Sequence, residues 1–68
     1  MDGAYKVIEV IGSSEKSWEA AAQNAIKAAA KSLKELRIAE VIEMDMKIED
    51  GKILNYRTKL KLSFKIQE

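Results

Sequence analysis

From Ile38 to the end of the chain, apolar and polar residues alternate almost without a break. Ile38, Ile42, Met44, Met46 and Ile48 fall on one side, and Ala39, Val41, Glu43, Asp45 and Lys47 on the other, with Glu40 the one acid on the apolar side. After the segment "MKIEDGKIL" the alternation resumes, with Leu54, Tyr56, Thr58, Leu60, Leu62, Phe64 and Ile66 opposed to Asn55, Arg57, Lys59, Lys61, Ser63 and Lys65. A period of two over such lengths predicts two long strands, each with one face buried.

The turn between them sets which side chains share a surface, because a slip of one residue turns an apolar face from core to water. A loop of Asp50-Gly51 alone, followed by regular pairing, sets Met44 against Arg57 and Ile42 against Lys59. A loop of Glu49-Asp50-Gly51, with Gly51 in the left-handed region, pairs Met46 with Leu54, Met44 with Tyr56 and Ile42 with Thr58. The pattern favours the longer loop, which also places Asp45 beside Asn55 and Glu43 beside Arg57 as an opposite-charge cross-strand pair. The same register puts Glu40 among Ile38, Ile42, Leu60 and Leu62. A lone carboxylate is costly there, so it needs either water at a sheet end or a cation from a second copy.

Upstream, "YKVIEVIG" is short, β-branched and closed by Gly12, and reads as a first strand. The following "EKSWEAAAQNAIKAAAKSLKEL" is rich in helix formers and free of proline. Ser14 is the expected N-cap, accepting from the amide of Ser17, with Glu15 at the positive end of the helix dipole. Trp18, Ala21, Ala22, Ala25, Ala29 and Leu33 recur at helical spacing, and Ile26, Ala30 and Leu36 widen the stripe. Alanine buries little area, so bulky neighbours must fill that contact.

Strand up, helix down, strand up and strand down give a β-α-β-β chain. An all-antiparallel three-stranded sheet then has order 1-3-2, with the helix on its apolar face. The fold class is α+β, in a single domain spanning residues 1–68. Only the first two or three residues look loose.

Composition narrows the chemistry. A chain of 68 residues buries only about 60% of its unfolded surface, less than larger domains do, and association is a common remedy. Cysteine and histidine are both absent. This removes disulfides, thiolate and imidazole metal ligands and the usual neutral-pH acid/base, and it fits a reducing cytoplasm. No nucleophile–base pair assembles by the common routes, and the expectation is a protein that is not an enzyme. The net charge of +1 offers no global field for nucleic acid or an acidic membrane, and the amino terminus carries no signal-peptide or membrane-span pattern.

Glu40, Glu43 and Asp45 fit solvated or ion-paired strand positions better than a carboxylate site for catalysis or a hard cation. Arg57, Lys59, Lys61 and Lys65 form a basic face with no aromatic beside them, since Tyr56 points the other way, so base stacking has no support. "GSSEKS" has the chemistry of a helix cap and lacks the spacing of a phosphate-binding loop. Trp18 reads as core or subunit-interface filler.

The strand ending in "IGSSEKSWEAAAQNAI", then "AEVIE", then a glycine turn and "YRTKLKLSFKI" closely resemble the dodecin family over nearly the whole chain. The resemblance implies a β-α-β-β subunit assembled as a homododecamer, a hollow shell of cubic symmetry that in many members sequesters flavins such as riboflavin or FMN. Flavin-binding members stack the ring on a tryptophan preceding "AEV" and pair it with a glutamine after the tyrosine of the last strand. Those positions here are Ile38 and Arg57. Ile38 has no π face, and Arg57 offers donors without an acceptor, which weakens flavin binding of the family type. Around "SWE" and "YR" the sequence is more similar to members described as binding calcium. The expected function is storage or buffering of a small ligand or ion, with Ile38, Glu43, Asp45 and Arg57 as candidate ligand-lining residues. The alternatives are a flavin binder with an altered pocket and a ligand-free interaction shell.

Overall fold

The computed structural model describes residues 3–66, so the expectation of looseness at Met1 and Asp2 lies outside the described residues. Four elements follow in order: β1 (Tyr5–Ser14), α1 (Trp18–Ala30), β2 (Leu36–Glu49) and β3 (Lys52–Lys65). Both strand pairings are antiparallel and the sheet order is β1-β3-β2, as the crossover argument requires.

The helix lies over β1 and β3 and scarcely touches β2. Its smooth face buries Ala21 and Ala25, and the bulk beneath them comes from β3, where Leu60 and Leu62 are each 1% exposed. Ile8, Val10, Ile26 and Leu36 close the sides. Gly12 does not end the first strand, which runs on to Ser14 opposite Tyr56. Its role is clearance: a Cβ at Gly12 would stand 1.9 Å from the Ala21 carbonyl oxygen, so the alanine stripe rests directly on the strand backbone.

The helix begins later than the sequence suggests. Ser17, not Ser14, is the N-cap, and its Oγ accepts from the Ala20 amide at 2.9 Å. Ser14 is still in β1, and its hydroxyl accepts from the Lys16 amide in the turn that follows. Several serines can cap here, and the length over which β1 pairs with β3 decides between them. At the other end α1 stops at Ala30. Leu36, assigned by periodicity to the helical stripe, reaches the same core from β2 after a turn in which Glu35 takes a left-handed φ of 63°.

The hairpin turn also differs. Glu49 pairs with Lys52, so the loop is Asp50-Gly51 alone, with φ of 53° and 75°. Those values belong to a type I′ turn, which matches the twist of the strands it joins. The conflict that argued against this loop is removed one pair further on. Ile48 pairs with Ile53 and Lys47 with Asn55, leaving Leu54 as an extra residue. That bulge corrects the faces, so that Met46 meets Tyr56 and Met44 meets Thr58.

A second irregularity skips Ile42, between Val41↔Leu60 and Glu43↔Lys59. It exchanges the faces of β2, so that Ala39 and Val41 sit beside Leu62 and Leu60 while Ile38 and Glu40 move to the opposite side. The buried position expected for Glu40 therefore does not exist. Glu40 is exposed and lies across from Lys61.

Candidate functional site

The sheet face away from the helix gathers most of the sheet's charge. Because β3 is central, each of its outward residues has a neighbour on both sides: Arg57 lies between Ser13 and Asp45, Lys59 between Ile11 and Glu43, Lys61 between Glu9 and Glu40, and Ser63 between Val7 and Ile38. Each of these β3 cations thus has an acid of β2 beside it, and Lys61 has one of β1 as well, an arrangement that period-two alternation builds once the bulges are in place.

The tightest contact is between Arg57 and Asp45. Arg57 Nε and Nη2 donate to Asp45 Oδ1 and Oδ2 at 2.7 and 2.8 Å, a bidentate fork. Donation from Arg57 holds the Asp45 carboxyl below its ordinary range, and the same bond raises the guanidinium further. The expected Glu43–Arg57 pair is not formed. Glu43 instead approaches Lys59, Oε1 to Nζ 3.4 Å, and Glu9 approaches the same ammonium at 3.8 Å. The displacement follows from the bulge at Leu54, which advances β3 against β2 so that Asp45 meets Arg57 and Lys47 meets Asn55.

Asp45 is tied from the other side as well. Trp18 Nε1 donates to the Asp45 carbonyl oxygen at 3.0 Å, and the Trp18 ring meets Tyr56 edge to face at 4.9 Å. Thr58, 1% exposed, donates its hydroxyl to the Trp18 carbonyl oxygen at 2.9 Å. Trp18 is therefore the bolt between the first turn of α1 and both strands of the hairpin. Its spacing marked it as apolar filler, but the indole N–H has a specific partner on β2.

Of the four candidate ligand-lining residues, the structure brings Glu43, Asp45 and Arg57 together and sets Ile38 apart. Ile38 pairs with Ser63 and Asp45 with Arg57, six residues away along β3. At roughly 3.3 Å per residue that separates them by about 20 Å. Ile38, 67% exposed, lines a concavity of about 380 Å³ with Val7, Glu40, Lys61 and Ser63. It also borders a smaller hollow, about 170 Å³, shared with Ile26, Leu36 and Leu62 at the end of the helical layer. Sequence reasoning placed Lys59 on the basic face but missed Glu9 and the pairing between the two. Their contact crosses from β1 to β3, and the signal for it was the central place of β3 in the predicted strand order.

Comparison with known proteins agrees with this architecture. The Dodecin family model matches residues 4–67. Calcium dodecin of Mycobacterium tuberculosis is 46% identical over 63 residues, covering 93% of this chain and 89% of that protein. A solved structure of a calcium dodecin from the same organism, described as a calcium chelating antigen with a novel calcium-binding site, has a TM-score of 0.85 at 49% identity, covering 94% of this chain and 91% of that one. A dodecin from Streptomyces davaonensis has a TM-score of 0.95 at 28% identity, with both chains fully covered. Dodecin of Thermus thermophilus is 35% identical over 68 residues, covering 100% of this chain and 99% of that protein. With strand order, helix placement and sequence agreeing along nearly the whole length, the chain belongs to the dodecin family.

Proposed function

We propose that the chain assembles into a homododecameric hollow shell that binds and buffers a small ligand or ion and carries out no catalysis. The observation that carries this reading is β2. Ile38, Val41, Ile42, Met44, Met46 and Ile48 stand 38–67% exposed along one edge strand, in a chain whose own buried core is Ala21, Ala25, Leu60 and Leu62. At roughly 25 cal/mol per Å², covering that strand with further copies of the chain supplies stability that so small a core lacks.

The choice of ligand rests on the outer sheet face. A flavin ring held in the family manner draws on the positions of Ile38 and Arg57, which lie about 20 Å apart along the strands of one chain, so a ring touching both takes them from two copies. Ile38 offers it a flat apolar wall without stacking. The similarity to calcium dodecin of M. tuberculosis favours calcium as the ion. Among the described residues no single chain groups three or more acidic side chains around a common point, so a calcium site needs carbonyl or water oxygens, or side chains of neighbouring copies, to complete its shell.

Size-exclusion chromatography with light scattering tests the assembly. The expected mass is twelve times that of the chain, and a monomer at micromolar concentration overturns the reading. Calorimetry on chelator-treated protein then separates the ligands. Heat on calcium addition with no quenching of riboflavin fluorescence supports the ion, and strong quenching supports the flavin.

A further inference from the structure

Past Tyr56 the sheet narrows to two strands. β1 pairs with β3 only as far as Ser14↔Tyr56, and the first turn of α1 reaches the hairpin through Trp18, at Tyr56, Thr58 and Asp45. Residues 47–55, on both sides of the Asp50-Gly51 turn, therefore form an arm with both strand edges unpaired, lying past the start of the helix. Its side chains are not those of a solvated tip. Ile48 and Ile53, a cross-strand pair, continue the row of Met44 and Met46 and are each more than half exposed, and Leu54 beside them is exposed as well. The charges of the arm, Lys47 and Lys52 against Glu49 and Asp50, cancel. A two-stranded hairpin by itself is marginal in water, and open edges beside bare apolar side chains favour pairing with another chain.

The dimensions of the chain point the same way. Its accessible surface is 5368 Å², where a compact monomer of 7.6 kDa has about 4,300 Å². Its radius of gyration is 14.0 Å, against about 11 Å for a compact domain of this length. The excess surface, about 1,000 Å², exceeds the roughly 800 Å² that each partner contributes to a standard interface. Resting on the shell reading above, we propose that residues 47–55 are an assembly arm, which seats on a second copy of the chain and keeps its hairpin form through that seat. A neutral arm gains nothing from a polyanion or an acidic membrane, whereas a second copy brings matching apolar surface, the exposed row of its own β2. Folding is then completed by assembly. The three-stranded body under α1 stands in each chain, and the arm closes when copies meet.

The test follows backbone hydrogen exchange by mass spectrometry in the full chain. It adds Ile48→Cys, which in a chain without cysteine supplies a lone thiol for reaction with a maleimide. In the full-mass assembly the amides of residues 47–55 are expected to exchange as slowly as those of β1. The Ile48→Cys thiol should stay unreacted there over the time in which the urea-unfolded chain reacts completely. Ile48→Lys should give a lighter species by light scattering, in which the arm amides lose their protection while β1 and α1 keep theirs. Arm amides that stay open in the full-mass assembly, or an Ile48→Cys thiol that reacts as fast there as in urea, overturn the proposal and leave the shell reading standing. Protection of the arm in the lighter species does the same, as does full mass in Ile48→Lys. Where Ile48→Lys unfolds throughout, the parent exchange and the thiol rate decide. An arm that closes only on phosphatidylcholine vesicles has a lipid surface as its occupant, which also overturns the proposal. A parent chain that is monomeric at micromolar concentration removes the shell reading itself, and the arm falls with it.

Discussion

Gly12 is the residue on which helix and sheet meet most closely. Its hydrogen stands where a methyl group would strike the Ala21 carbonyl and, at 2.9 Å, the Ala25 Cβ. Neither neighbour is the end of a flexible side chain, so relief requires the helix to lift from the strand. Gly12→Ala is expected to destabilise the chain by about 3 kcal/mol, the upper part of the usual range for overpacking, read as a lower urea midpoint. Asp45 makes a different prediction. Its folded-state carboxyl lies below the ordinary value, chiefly through the hydrogen bonds from Arg57. The contribution of the fork is therefore fully present above the unfolded-state value and disappears as the pH falls through the lower folded value. Urea midpoints of the parent protein and Asp45→Asn should differ at neutral pH and converge on acidification through that window. Curves that stay parallel would show that the fork contributes nothing to stability.

At the scale of elements, local chemistry fixed which segments were strand or helix, while pairing fixed where they ended. Both Ser14 and Ser17 can cap a helix, and only Ser17 does so. Ser17→Ala should cost about 1 kcal/mol, as the loss of an N-cap does. Ser14→Ala, at an exposed turn bond, should stay within about 0.5 kcal/mol, and the ranking is read from thermal or urea midpoints. The hairpin gives a second contrast. A Cβ at Gly51 meets nothing within 4 Å, yet φ is +75°, so Gly51→Ala should cost about 1 kcal/mol from backbone strain alone. The sequence reading correctly required Met44 and Met46 to share the face of Tyr56 and Thr58, but attributed this to a third loop residue. A two-residue loop with a bulge at Leu54 meets the same requirement, since alternation constrains the faces and leaves the location of the extra residue open.

For the whole molecule, the decisive feature is that one helix covers two strands of three. The described chain extends 52 Å along its long axis against 13 Å along its short one, and most of β2 lies outside the helical cover, which reaches it only near Leu36 and through Trp18 at Asp45. A charge on the helix-side surface of β2 should therefore spare the fold of the subunit and prevent assembly. Met44→Lys, at a side chain 58% exposed, is expected to lower the native mass by light scattering while the far-ultraviolet circular dichroism keeps its mixed α/β form. Retention of the full mass would show that this surface is not covered by another copy. Among the described residues no helix is long and apolar enough to cross a membrane.

By itself the sequence determined the β-α-β-β order, the central place of β3, the alanine face of the helix and the split of β3 into an apolar and a basic side. Each follows from periodicities and propensities that act within a few residues, and the strand order follows from chain direction. Tertiary structure decided the partners. The extra residues Leu54 and Ile42 shift the ladder, and the alternation marks them only as the adjacent apolar pairs Ile53-Leu54 and Val41-Ile42, which do not say which residue goes unpaired; through them Asp45 replaces Glu43 beside Arg57, Glu40 moves out to water, and Ile38 joins the charged face at a distance from the fork. A bulge is chosen by how two twisted strands and the helix above them pack together, and that is a property of the assembled layers which no single segment carries.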